Sequence, residues 1–473
     1  QELELPENTV GISVANGDWL RMYIHKVADV FRIKKGEQVL TSMKKDLANK
    51  YLNKEEWKLP EITGISCTPL IRKNGELFYE NGYDKKTGRF IDWEEGALDV
   101  PDKPTQQDAL DAYNKLMELL KEFRFKTDLD KHIALAAIMS GVIRQSLRLC
   151  PAFAFTSPSP ASGKSLLGRL IGVLASGATP MPVTTGHDST EFEKRVSSAL
   201  LSGSHVVLFD NLNQQGLNSD SLGVAITDGK QNIRKFGELE PIPAKCSSLY
   251  LINGNNLYLA DDMLRRVFLC ELDPQEEHPE NIKYEGDPVK EAFKRRKELV
   301  SAVFTLVKAY RISDTKRHQK ITLADFSDFT LMVRDPIQWI TEGKFDVVQK
   351  MKDAKAINPK REAEYELLQH WHDKFGGDYI KAADVIRDAQ PYRDGMSGLQ
   401  EPAPELWSAI EEVTPTGKPN SRSLGKWCQR NKGRIINGYK LESNVHTGVD
   451  ARRGLSWRVV KDEAIARDSA NEF

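Results

Sequence analysis

The 473-residue sequence predicts an α/β protein built on a parallel sheet. Three observations predict it. Val206-Val207-Leu208-Phe209-Asp210 and Leu249-Tyr250-Leu251-Ile252-Asn253-Gly254-Asn255 are short apolar runs with polar ends, and each reads as a buried strand. Ser157-Pro158-Ser159-Pro160-Ala161-Ser162-Gly163-Lys164-Ser165 follows a third apolar run, Ala152–Phe155, and leads into a helix. From residue 151 to about 275 such strands alternate with helical stretches, the pattern that parallel strands require.

The elements follow in order. Residues 1–104 read as a mixed α+β region, with a helical stretch around Trp19–Phe31. Asn74-Gly75 between alternating apolar residues marks a hairpin, and Gly82–Ile91 looks like a second one. Residues 105–150 hold two helices. Thr105 with Asp108 caps the first, and the second fits Leu129 to Leu149. Residues 151–345 form the α/β core with a helical extension that includes Val289–Tyr310, and 346–361 read as a linker. Residues 362–473 form a small separate domain.

Composition excludes several classes. Apolar residues make up 40% and charged residues 29%, values typical of a soluble globular chain. The net charge of −1 gives no general case for nucleic acid, so any basic surface has to be local. Five scattered cysteines without a CxxC pair read as free thiols in a reducing, cytoplasmic compartment, with no zinc site. The longest strongly apolar run, Ile133–Ile143, is too short to span a bilayer, and there is no signal peptide. Because the chain starts at Gln1, it is expected to be a fragment of a longer protein.

Consecutive backbone N–H groups at a helix N-terminus bind phosphate, and the helix dipole adds to the attraction. Ser162, Gly163, Lys164, Ser165 and Leu166 are therefore the expected nucleotide-binding set. Lys164 neutralises β/γ-phosphate charge, and Ser165 with Asp210 holds Mg²⁺. Pro158 stands where such loops usually carry glycine. Asn211 follows Asp210 where related ATPases often carry a glutamate, and an amide cannot act as a base. Glu191 is the alternative candidate for that role, with a solvated helix face as its plain reading. Asn255, at a strand end, is placed to orient the attacking water or touch the γ-phosphate. Arg265 and Arg266, ten and eleven residues further on, are candidates for stabilising transition-state charge in a neighbouring subunit, with a structural salt bridge as their plain reading.

These blocks resemble the superfamily 3 and related AAA+ helicases of phages, viruses and mobile elements. Ser162–Ser165 and Asp210-Asn211 match the Walker motifs, and Asn253–Asn256 with Asp262–Arg266 match the sensor 1 and arginine-finger blocks. Flanking segments from about residue 60 to 460 resemble prophage and mobile-element replication proteins, in weaker form. The resemblance implies an AAA+ core behind a helical collar at 105–150, ATP and Mg²⁺ between subunits, and a ring, expected as a hexamer. It also implies DNA unwinding with 3′→5′ polarity in a bacterial host cell, with a primase domain often upstream.

Two segments are candidates for DNA contact. Lys230, Arg234 and Lys235 precede a glycine turn where the resembling helicases carry a pore hairpin; a solvated basic turn is the simpler alternative. From Thr416 to Lys461 there are 11 Lys/Arg against 2 Asp/Glu, a local +9. A helix with Lys426 and Arg430, then a basic loop with Arg452 and Arg453 before a closing strand, suggests a winged helix. Two other functions fit parts of the pattern: an ATP-switched origin initiator or helicase loader, and a metabolic P-loop kinase.

Overall fold

A computed structural model describes residues 15–54, 59–72, 74–93, 95–184, 186, 189–212, 216–234, 241–260, 262–276, 278–281, 286–313, 323, 325–356, 359–394, 398–414, 419–444 and 455–461. The chain divides into two compact units, 1–352 and 353–473.

The first unit is organised by five strands: β1 (Ala152–Ser157), β2 (Pro182–Thr184), β3 (Val206–Asp210), β4 (Leu249–Asn255) and β5 (Val267–Glu271). They lie in the order β5-β1-β4-β3-β2, and every neighbouring pair is parallel. All of β1 and the first six residues of β4 are buried, as expected of strands covered on both faces. Helices Lys164–Ser176, Ser189–Leu201 and Asp220–Asp228 follow β1, β2 and β3. Because the strands are parallel, their C-terminal ends share one edge, and Ser157, Asp210 and Asn255 all stand on it.

The upstream elements mostly follow the sequence reading. Thr105 and Asp108 form both halves of a capping box on helix Gln106–Leu119. Strands Leu70–Ile71 and Leu77–Phe78 pair antiparallel around Gly75, whose φ is +86°. Strands Gly82–Asp84 and Arg89–Ile91 form the second hairpin.

Several boundaries differ. The first helix is Gly17–Val27, and Phe31 instead opens a strand that pairs with Glu37–Leu40. Lys35 and Gly36 both take left-handed φ, which turns the chain back on itself. The helix expected to reach Leu149 is Asp128–Val142. Beyond it Arg144 is buried, and its guanidinium turns onto the carbonyls of Leu147 (3.0 Å) and Ser248 (2.9 Å). The Val289–Tyr310 stretch is two helices, Pro288–Lys294 and Arg296–Ile312. The expected linker 346–361 instead carries helix Val347–Ala356 and the start of Pro359–Phe375, and the unit boundary follows Lys352. Val347, Val348 and Met351 are buried, and Lys350 pairs with the fully buried Asp130 at 2.9 Å, so this segment belongs to a core.

The second unit runs helix Pro359–Phe375, strand Ile380–Lys381, helix Ala382–Ala389, helix Pro404–Val413 and helix Ser421–Asn431. Strands Ile435–Ile436, Tyr439–Asn444 and Ser456–Lys461 follow. Ser456–Lys461 lies between Ile380–Lys381 and Tyr439–Asn444 in an antiparallel sheet. Trp371, Trp427 and Trp457 fill its core.

Arg296 ties the N-terminal hairpin region to the core. It is 6% exposed and donates to the carbonyls of Val173 (3.0 Å) and Cys67 (2.6 Å) and to Glu95 Oε1 (2.6 Å). Its guanidinium also lies 4.9 Å from the Trp93 ring centroid. Arg296→Ala is expected to destabilise the first unit by about 3 kcal/mol in urea unfolding, because it leaves a carboxylate and two carbonyls without their donor.

Candidate functional site

The loop between β1 and the next helix makes the centre of the site. Helix Lys164–Ser176 starts behind Gly163, which takes φ +91°, and no side chain caps it. Its first N–H groups lack intrahelical partners and are left to a ligand. Ala161 also takes a left-handed φ of +57°. A non-glycine residue there stores strain, consistent with a loop shaped for binding. Pro158, the departure from the usual glycine, sits at the loop entrance ahead of this turn.

Lys164 is 8% exposed, and its Nζ donates to Ser162 Oγ (2.7 Å) and the Ser159 carbonyl (3.2 Å). Burial pushes its pKa down to about 8, opposed by the nearby Asp210. The ammonium is thus held by the loop's own oxygens and is poorly solvated there. Ser165 Oγ donates to both Asp210 carboxylate oxygens, at 3.3 and 3.2 Å. Hydroxyl and carboxylate are hard oxygen donors of the kind Mg²⁺ prefers, so the residues fit that ion. When bound with nucleotide, the ion would neutralise phosphate charge from this position.

Around this pair the other expected residues fall at different distances. Asn255 stands level with Ser157 in the β4–β1 register, at the loop entrance. Asn211 takes φ +71°, and Asn211 N donates to Asp210 Oδ1 at 3.1 Å. That backbone suits asparagine far better than glutamate, which gives a physical reason for the residue found there. Glu191 forms an ion pair with Arg195, which also donates to the Thr184 carbonyl at 2.7 Å. Thr184 is paired with Asp210 in the sheet, so Glu191 is tethered one strand away from the carboxylate.

Arg265 and Arg266 are not beside this loop. The carbonyl of Arg266 accepts from Ala152 N at 3.0 Å, which places the pair at the opposite end of β1. Five residue steps separate Ala152 from Ser157, roughly 17 Å at the rise of a strand. Both arginines bind Asp262, Arg265 through Nε at 2.9 Å. Arg265 is half-exposed, while Arg266 is mostly buried over Gly223, where a Cβ would stand 2.7 Å from its Nη1. The role of Asp262 was not legible in sequence, since an acid beside two arginines carries no signal of its own.

Lys230 and Arg234 lie on strand Lys230–Arg234, paired with Pro241–Lys245. Both are exposed and share one face, with Lys245 directly across from Lys230. Lys235 lies outside the described residues, as do Arg452 and Arg453. In the second unit Lys426 and Arg430 are exposed on helix Ser421–Asn431, joined by Arg422 at the same spacing. The opposite face of that helix buries Leu424, Trp427 and Cys428. Among the described residues, no helix is long and apolar enough to cross a membrane.

No family model matches the sequence, and no curated protein is similar to it. Among solved structures, the apo A form of the NrS-1 C-terminal region aligns over 94% of this chain and 99% of its own, at 12% identity and a TM-score of 0.35. JCV helicase aligns over 50% of this chain and 67% of its own, at 12% identity and a TM-score of 0.23. Superpositions this loose leave function to the residues of the chain itself.

The depressed pKa of Lys164 has a testable sign. A phosphate bound beside Lys164 would favour the protonated lysine, so nucleotide binding there would take up a proton above pH 8. Affinity for ADP is expected to be flat below about pH 7.5 and to fall as pH rises through 8 and beyond. Calorimetry in buffers of different ionisation heat measures the proton uptake directly. Lys164→Arg should abolish this pH dependence.

Proposed function

We propose that the chain is an ATP-driven DNA translocase and helicase that works as a ring oligomer in phage or mobile-element replication. One observation carries the reading: Arg265 and Arg266 lie at the opposite end of β1 from the loop that carries Lys164. Arg265 and Arg266 are out of reach of their own phosphate-binding loop, so a neighbouring copy's loop is the natural target. Copies that each offer one half at either end associate head to tail, and such contacts close into a ring when the rotation between copies closes. A hexamer is the size that the motif resemblance implies.

In this reading Lys164 and the N-terminus of its helix hold the phosphates, with Ser162, Gly163, Ser165 and Leu166 in the cradle. Ser165 and Asp210 hold Mg²⁺. Asn255 orients the attacking water at the loop entrance. Glu191, released from Arg195, is the candidate base, because Asn211 is an amide. The neighbour's Arg265 and Arg266 stabilise charge as the γ-phosphoryl group leaves.

Two basic surfaces serve DNA. Lys230, Arg234 and Lys245 line one face of the hairpin and contact the phosphate backbone, and Lys235, next in sequence and outside the described residues, is read with them. The second unit is read as a winged helix. Helix Ser421–Asn431 is its recognition helix, and the wing is assigned from sequence to the segment with Arg452 and Arg453, outside the described residues.

Lys164→Ala is expected to abolish ATP turnover. The Arg265→Ala/Arg266→Ala double variant should bind nucleotide yet lose turnover, and mixing the two inactive proteins should restore part of it. A mixture that stays inactive sinks the shared site. DNA-stimulated turnover without strand separation on a forked duplex points instead to an initiator or loader.

Arg422→Ala, Lys426→Ala and Arg430→Ala together should weaken DNA binding evenly across sequences. The slope of log affinity against log salt should drop by about 1 for each phosphate the helix no longer neutralises. An unchanged slope in fluorescence anisotropy removes this helix from the DNA surface.

A further inference from the structure

Asn253 is the least expected residue in β4. It follows four buried apolar residues, is itself 1% exposed, and neither its amide nitrogen nor its amide oxygen has a hydrogen-bond partner. A buried amide in that state carries a desolvation penalty that an apolar residue of the same size would avoid. Native chains keep such groups where function uses them.

Its position says what it faces. The register of β3 with β4 runs from Val206↔Leu249 to Phe209↔Ile252, so Asp210 and Asn253 come next, side by side. Residues level in a parallel pair share a face. Asp210 meets the phosphate-loop helix at Ser165. One turn further along that helix, a Cβ on Gly168 would stand 3.6 Å from Asn253 Nδ2 and 3.0 Å from Leu208 Cδ1. Gly168 therefore packs closely over Leu208, and the Asn253 amide lies in van der Waals range of the same helix, next to the Ser165–Asp210 pair.

We propose that Asn253 is a positioning residue for the magnesium site, holding the Asp210 carboxylate and its surrounding water in place once nucleotide and metal arrive. The amide suits this role because it offers a donor to the carboxylate and an acceptor to water from one rigid, buried position. The inference rests on the ATP-site reading above. Asn255, two residues on, belongs to the loop entrance, whereas Asn253 acts through Asp210.

The test avoids turnover. Binding of a fluorescent ADP analogue is titrated with Mg²⁺ for the wild type, Asn253→Leu and Asn253→Thr, alongside thermal unfolding. Asn253→Leu is nearly isosteric and should melt a few degrees higher, yet need about tenfold more Mg²⁺ for half-maximal binding. Asn253→Thr, which keeps a polar group, should recover part of the magnesium response. If the leucine chain does not fold, Asn253→Val takes its place with the same expectation. An apolar variant with the wild-type magnesium response overturns the assignment alone. A wild type whose nucleotide binding ignores Mg²⁺ overturns the ATP-site reading and the assignment with it.

Discussion

The position of β4 between β1 and β3 is the constraint on which the rest of the first unit depends. It separates the strand that feeds the phosphate loop from the strand that ends in Asp210. Ser165 Oγ still reaches the Asp210 carboxylate, because the helix after the loop crosses above the intervening strand. Whatever stands at the end of β4 is consequently enclosed by loop, helix and carboxylate. A sheet with β1 directly beside β3 would have no such place for Asn253 or Asn255.

Much of this was legible in the sequence, for identifiable reasons. Strands β1, β3 and β4 are continuous apolar runs because both faces are covered, and few other local structures explain such runs beside a glycine–lysine loop. The Thr105 cap and the Gly75 turn were legible because their chemistry is local. The long helices were less so. Arg144 and Arg296 end or break helical stretches by turning inward onto carbonyls that lie about 100 residues or more away in the chain, Ser248, Val173 and Cys67. Hydrophobic periodicity carries no trace of such contacts. The segment 346–361 looked like a linker because it is polar, yet its valines and Met351 are buried and Lys350 answers a charge on a distant helix.

The site divides in the same way. Loop, carboxylate and strand-end asparagine follow from spacing. What sequence does not reveal is the resting state of the arginines. One exposed carboxylate, Asp262, holds both guanidinium groups, and its exposed pair with Arg265 contributes little and exchanges readily. Arg266 is held less completely than its burial suggests, since its Nε lies buried without a partner. Gly223 supplies the berth. The pair is thus held by contacts that a better anion can replace.

Gly254 has a mechanical meaning. A Cβ there would stand 2.0 Å from the Leu212 carbonyl, and Leu212 N donates to the Asn253 carbonyl at 2.9 Å. The chain leaving Asp210 is clamped, backbone to backbone, against the tip of β4. Those two strand ends form a single stiff part, and one cannot be displaced without carrying the other. A shift at the carboxylate is therefore shared by the tip of β4, as by a crank rather than a spring.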